Sequence, residues 1–225
     1  QHVMLVDFDP QGNASSGLGV EKEDYEHTVY DMMAEEANLD ECLVKNIQDN
    51  LDVLPSDMNL AGAEIEFQEV EDKETLLKRY LDQVRDDYDF ILIDCPPSLN
   101  ILTINALTAA DTVLVPIQCE YYALEGLNQV LKTVELVRKK LNPQMELEGV
   151  VFTMYDARTN LSLQVVESVK SNLNQTIYKT IIPRNVRLAE APSHGKSINL
   201  YDTRSTGAES YRMLAAEVMS RGEEL

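Results

Sequence analysis

The stretch Met4-Leu5-Val6-Asp7-Phe8-Asp9-Pro10-Gln11-Gly12-Asn13 decides how the rest of the chain is read. An apolar run, Val3 to Val6, ends in two acids spaced two apart, then a proline, then a small polar loop. The run has the length and residue types of a buried parallel strand. Side chains at the carboxyl end of such a strand emerge into the crevice where α/β proteins bind ligands. Strand side chains repeat every second residue, so Asp7 and Asp9 are expected to point the same way. Two acids aimed into a crevice call for a positive partner: a metal ion, a cationic side chain or a proton to transfer. The bland alternative is a strand end with solvated aspartates.

A second stretch has the same form. Phe90-Ile91-Leu92-Ile93-Asp94 is apolar, ends in an acid, and is followed by Cys95-Pro96-Pro97-Ser98. It reads as a Walker B strand, whose Asp holds Mg²⁺, usually through water, beside a nucleotide. The pairing of VDFDPQGNASSGLG with FILIDCPPSLNILTINAL resembles the ParA/Soj family of chromosome and plasmid partition ATPases, within the deviant-Walker group of P-loop proteins. The resemblance continues through the segment from Asp111 to Gly126, then Thr153-Met-Tyr-Asp-Ala-Arg-Thr-Asn, then Ile181 to Lys196, and reaches Ser205-Thr-Gly-Ala-Glu. It covers essentially the whole chain.

Bulk composition agrees with one α/β domain over residues 1–225. The chain has 225 residues and 44% hydrophobic content, enough for a real core. Cys42, Cys95 and Cys119 are widely spaced, which argues against a zinc site or a disulfide framework and suits a reducing cytosol. No apolar run approaches the ~20 residues that span a bilayer, and no signal peptide is recognisable. The motif G-x-x-x-x-G-K-[ST] does not occur: Gly195-Lys196-Ser197 ends correctly, but Glu190 stands where the first Gly belongs. Gln1 leads almost at once into a strand. Against the family pattern, a first strand and a P-loop with its lysines are missing, so an N-terminal truncation is expected. Such a fragment would hydrolyse ATP poorly by itself. A missing central strand would also leave a gap in the sheet and unpaired strand edges, so poor solubility is expected.

The net charge of −20 disfavours nucleic acid at first sight, but its distribution is uneven. Residues 1–150 carry 10 Lys and Arg against 31 Asp and Glu; residues 151–225 carry 9 against 8. Between Glu167 and Glu190 lie Lys170, Lys179, Arg184 and Arg187 and no acid. A local basic face on an acidic protein can still bind phosphates, although the total charge weakens long-range attraction.

Taken in order, the loop Asn13 to Gly19 carries glycines, but Gly12, Gly17 and Gly19 do not have the G-x-G-x-x-G spacing of a dinucleotide fold. Short helices are expected over Thr28–Ala34 and Leu39–Val44, and a brief strand over Leu51–Pro55. Leu76, Leu77, Tyr80, Leu81 and Val84 give the apolar stripe of a surface helix over 74–85. After Pro96 and Pro97 a helix starts near Asn100. Thr112–Ile117 is a strand. The stripe from Leu124 to Leu141 marks a long helix. Glu148–Met154 is a strand, Arg158–Leu173 a helix, Thr176–Ile182 a strand and Gly207–Met219 a closing helix. The alternation predicts a doubly wound, mostly parallel sheet with helices on both faces.

The resemblance implies specific roles. Asp9 positions or polarises the attacking water, Asp7 supports Mg²⁺ or its waters, and Asp94 is the Walker B acid that carries Mg²⁺ through water. Thr153, Met154, Pro183 and Asn185 contact the adenine of ATP. Arg158 and Arg187, with Arg184 and Lys196 in weaker positions, contact DNA phosphates without sequence preference. The implied activity is an ATPase switch for DNA partition. ATP binding makes a sandwich homodimer, the dimer holds DNA, and a ParB-type partner stimulates hydrolysis; the setting is cytoplasmic and nucleoid-associated. Two other readings stand beside it: a MinD-like membrane-cycling ATPase and a non-catalytic DNA-binding regulatory module. The tail Arg221-Gly-Glu-Glu-Leu lacks the basic face that anionic lipids attract, so no membrane contact is expected. His194 has no companion ligands and reads as structural.

Overall fold

The computed structural model describes residues 1–173 and 176–222. The terminal Glu223-Glu224-Leu225, part of the tail weighed above for membrane contact, lies outside them. The chain forms two compact units, residues 1–111 with 137–145, and residues 112–136 with 146–225.

The first unit is built on β1 (Val3–Asp7), β2 (Val44–Gln48), β3 (Leu51–Leu54) and β4 (Phe90–Asp94), in the order β2-β3-β1-β4. β1 runs parallel to both β3 and β4, while β2 is antiparallel to β3. Held on both edges, β1 buries Met4 and Val6 completely, and Phe8 just beyond it. Six helices belong to this unit: α1 (Asn13–Gly17), α2 (Val29–Met33), α3 (Leu39–Cys42), α4 (Ala63–Glu66), α5 (Leu76–Val84) and α6 (Ile101–Ala109). Leu76, Leu77 and Leu81 of α5 and Leu102 and Ala106 of α6 join the β1 side chains in one core. Asn100 starts α6 by accepting from the N–H groups of Leu102 and Thr103 at 3.1 and 3.2 Å. The Asn142 amide ends it by donating to the carbonyls of Leu107, Thr108 and Ala110.

The second unit has three parallel strands in the order β5-β6-β7: β5 (Thr112–Gln118), β6 (Glu146–Tyr155) and β7 (Ile177–Pro183). Its helices are α7 (Ala123–Lys140, which continues beyond the unit), α8 (Asn160–Asn172), α9 (Val186–Glu190), α10 (Ile198–Tyr201) and α11 (Thr206–Gly222). Alternation along the strands fills two faces. Val115, Ile117, Val150 and Phe152 pack with Leu127 of α7 and Val165, Val166 and Val169 of α8. Val151, Tyr178 and Ile182 pack with Leu188 of α9 and Leu214 and Val218 of α11. Helices therefore cover both faces of this sheet, as the alternation predicts.

Two features depart from the expected pattern. The described strands form two sheets, one of four strands and one of three, where a single sheet was expected. The residues after Cys42 form strand β2 instead of continuing the expected helix to Val44. Charge is also unequally shared: the first unit holds 26 acids and 9 bases, the second 13 and 10.

Candidate functional site

In the first unit the two diagnostic strands lie side by side. Asp7 of β1 is in register with Asp94 of β4, so both acids stand at the carboxyl edge of the sheet. The Phe8 N–H extends the ladder to the Asp94 carbonyl at 2.9 Å. Asp7 is fully buried. Its carboxylate accepts from the Ser15 N–H at 2.8 Å and the Ser15 hydroxyl at 2.7 Å, with the Asp9 N–H longer at 3.3 Å. Asp7 thus ties β1 to α1.

Asp9 does not share the strand with Asp7, because β1 ends at Asp7 and the buried Phe8 intervenes. Instead it opens a tight turn: its carboxylate accepts from the Gln11 N–H at 3.0 Å and its carbonyl from the Gly12 N–H at 2.9 Å. The turn closes through Gly12 at φ 62°, a left-handed conformation that glycine takes without steric cost. A Cβ there would stand 2.9 Å from the backbone oxygen of Ser56, in the loop after β3. The Ser56 hydroxyl itself is buried without a hydrogen-bond partner.

The electrostatics show what this edge lacks. Partial burial, and then the charges of Asp7 and Asp9, raise the Asp94 carboxyl above its ordinary value, although the residue still reaches solvent. Burial, and then Asp94 and Asp9, push the neighbouring Cys95 thiol up to about 12, although the residue is exposed. Tyr25 is raised by burial, Asp57 and Asp7. Among the described residues no three His, Cys, Asp or Glu side chains converge as a metal cage. The acids suit a hydrated cation held partly by other ligands, not one enclosed by protein alone.

In the second unit the remaining predicted residues gather at the carboxyl ends of β5, β6 and β7. Thr153 and Met154 close β6, and Pro183 ends β7. The Cys119 N–H donates to the Thr153 carbonyl at 3.0 Å and the Arg184 N–H to the Tyr155 carbonyl at 2.8 Å. Met154 has φ 53° and sits in a bulge: β6 advances from Phe152 to Tyr155 while β7 advances from Ile181 to Pro183. A left-handed methionine is uncommon, and such strain gathers at binding sites. Asn185 caps α9 by accepting from the Arg187 N–H at 2.8 Å, and its amide donates to Thr206. Arg158 follows β6 and makes a forked contact with Asp156 at 2.9 and 2.7 Å. Arg184 meets Glu120 at 3.2 Å. Arg187 meets Glu190 at 2.8 Å and Asp202 at 3.5 Å. Lys196 has no carboxylate partner among the described residues. His194 stacks on Tyr201 with ring centroids 4.9 Å apart, the structural role expected of it.

Comparison with known proteins decides the family. A model described as an AAA domain matches residues 1–147. The sporulation initiation inhibitor protein Soj of Bacillus subtilis is 58% identical over 222 residues, 99% of this chain and 88% of that protein. The chromosome partitioning protein ParA of Caulobacter vibrioides is 48% identical over 223 residues, 98% of this chain and 84% of that protein. The chain belongs to the Soj/ParA family of chromosome-partitioning ATPases. Among solved structures, a cobyrinic acid a,c-diamide synthase of Mycobacterium smegmatis with bound ATP analogue and magnesium superimposes with a TM-score of 0.86. It is 33% identical, over 99% of this chain and 84% of that one.

Three parts of this Soj/ParA chain were invisible to sequence reasoning. Ser15 carries no motif of its own, yet it satisfies the Asp7 carboxylate. The Gly12–Ser56 approach joins residues 44 apart in the chain, and only the small residue at Gly12 hinted at it. Glu120 meets Arg184 across 64 residues, so only the fold reveals that pair, whereas Asp156 lies two residues before Arg158 and Glu190 three after Arg187 on α9.

Proposed function

We propose that this chain is the ATP-dependent switch of a DNA-partition system, acting as a single nucleotide-binding domain over residues 1–225. The observation that carries the reading is the register of Asp7 with Asp94, with Asp9 in the adjoining turn and the Asp94 carboxyl raised by its neighbours. Acids arranged in this way repel one another until a cation arrives. When bound, Mg²⁺ and ATP supply the phosphoryl group and the charge that neutralises its oxygens. Asp94, and Asp7 beside it, would hold the hydrated cation, while Asp7 also fastens α1 to the strand end. Asp9, held by its own turn, orients the attacking water and accepts its proton. Thr153 and Met154 with Pro183 and Asn185 hold the adenine. Arg158 and Arg187, with Arg184 and Lys196, hold DNA phosphates without reading sequence. ATP closes two copies into a dimer, the dimer remains on nucleoid DNA, and a ParB-type partner stimulates hydrolysis and release. Support comes from family membership and from the nucleotide and magnesium carried by a relative of the same fold.

The test uses the intact protein. ATP hydrolysis is followed with and without Mg²⁺ in the wild type and in Asp9→Ala, and DNA co-sedimentation is measured with ATP, ADP and no nucleotide. The reading expects Mg²⁺-dependent hydrolysis lost in Asp9→Ala, and DNA retention confined to the ATP state. Equal DNA retention in all three states would sink the nucleotide switch and leave a constitutive binder. Sedimentation with anionic vesicles and not with DNA would replace the partition reading with a membrane-cycling one.

A further inference from the structure

Each arginine assigned to DNA already holds an acid of its own chain. Arg158 presents its fork to Asp156 through Nε and Nη2, at 2.9 and 2.7 Å, while 85% of its side chain remains exposed. Arg184 pairs with Glu120, and both side chains are about half exposed, at 50% and 56%. Arg187 is shared between Glu190 and Asp202, and Glu190 also accepts from the Tyr201 hydroxyl at 3.1 Å. The Arg158 and Arg184 pairs lie on one rim, because Asp156 and Arg184 directly follow β6 and β7 and Glu120 follows β5 after Cys119, while the Arg187 pair is on α9. Packing does not demand this arrangement. Among the described residues the Glu120 side chain is bonded to Arg184 and nothing else, and exposed ion pairs of this kind add little stability.

A carboxylate and a phosphate are competing oxyanions. A guanidinium whose fork faces a carboxylate cannot offer that fork to a phosphate, and the carboxylate repels the phosphate as it approaches. DNA binding is driven by releasing counterions from the duplex, and an arginine already neutralised by its own acid contributes less to that release. We propose that Glu120, Asp156 and Glu190 are built-in counter-ions that hold the DNA-binding arginines in a self-neutralised state, so that the protein grips DNA weakly and releases it readily. The proposal rests on the reading of Arg158, Arg184 and Arg187 as DNA contacts. It adds that their affinity is set by these acids and not by the overall charge.

The experiment measures binding of the ATP-loaded intact protein to a random-sequence duplex across a salt series, for Glu120→Gln, Glu190→Gln and Glu167→Gln. Glu167 is exposed and forms no ion pair with an arginine among the described residues, so its variant changes the net charge equally without freeing a cation. Glu120→Gln and Glu190→Gln are each expected to tighten binding about two- to fivefold, the worth of an exposed ion pair. Freeing Arg184 should steepen the salt dependence by about 0.9, and Glu190→Gln, which leaves Arg187 beside Asp202, by less. The gain from Glu190→Gln should vanish in an Arg187→Ala background. Binding unmasked only in the Gln variants would support the proposal in its strongest form. If the wild type binds DNA and Glu167→Gln tightens it as much as the others, bulk charge suffices and the proposal alone is overturned. If neither the wild type nor any variant binds, the DNA-contact reading falls and the proposal with it.

Discussion

Gly12 shows how one backbone angle fixes a candidate catalytic turn. At φ 62° with Ser56 only 2.9 Å from an added Cβ, Gly12→Ala meets both a left-handed backbone and a steric block. The backbone term alone costs about 1–2 kcal/mol. Urea unfolding should therefore show a lower midpoint with an unchanged slope, and hydrolysis should fall because the Asp9 turn is displaced. Ser56→Ala is the contrasting case: the hydroxyl it removes has no partner, so the same measurement should show no loss or a small gain. Asp94 gives a pH prediction. Its folded pKa is raised, so the folded state disfavours the ionised form. Stability from this group is greatest in acid and declines as pH rises from the usual carboxylate range through the raised value. Asp94→Asn should then melt higher than the wild type near neutral pH, with the difference closing in acid. Added Mg²⁺ should raise the wild-type melting temperature and leave that of Asp94→Asn unchanged.

Among the elements, the packing of β7 against α11 is reinforced by one carboxylate that takes several polar bonds across it. Between Ile177 and Ile181 the β7 register bulges, advancing four residues while β6 advances two, from Val150 to Phe152. The N–H groups of Lys179 and Thr180 fall in this bulge, and Glu217 of α11 accepts both at 2.8 and 3.0 Å, along with the Thr180 hydroxyl. Arg221, one turn further along α11, steadies the carboxylate at 2.9 Å and lies over the Tyr178 ring. Burial by itself would raise the Glu217 pKa, but the Lys179 and Thr180 donors outweigh it and the net shift is downward. Its contribution is therefore present above the ordinary glutamate range and is lost as pH falls through the lowered value. Glu217→Ala leaves two strand donors unmet and should cost about 1–3 kcal/mol in chemical denaturation. The helices and parallel strands were legible because their apolar spacing is strong: the expected strand at 112–117 and long helix over 124–141 appear as β5 and α7. β2 was not, since Val44-Lys-Asn-Ile-Gln is half polar, lies at a sheet edge and bends through Asn46 at φ 56°. The neighbouring apolar residues of α3 made a helix the simpler expectation.

Over the whole molecule, the site was readable where chemistry follows sequence order and unreadable where it follows space. Asp7 and Asp94 were found because each ends an apolar run, and their register confirms that the two ends coincide. Asp9 lies beyond the end of β1, in a turn, so strand alternation does not place it, although its charge and that of Asp7 both bear on Asp94. The two units differ in charge, 26 acids to 9 bases against 13 to 10, so the second repels a polyanion less, in line with the proposed DNA contacts there. Arg158→Ala and Arg187→Ala should each weaken ATP-dependent DNA retention severalfold and uniformly across sequences. A random-duplex competition at fixed salt tests this, and a sequence-selective loss would contradict phosphate contact.

The Glu217 link also gives α11 a mechanical role. The Lys179 and Thr180 bonds to one carboxylate stand in parallel, so a load drawing α11 away from β7 is shared between them until both fail together. Pulled between handles on these two elements, the protein should yield in one abrupt extension and not by gradual peeling. The force at that step becomes a direct gauge of how firmly the helix is fastened.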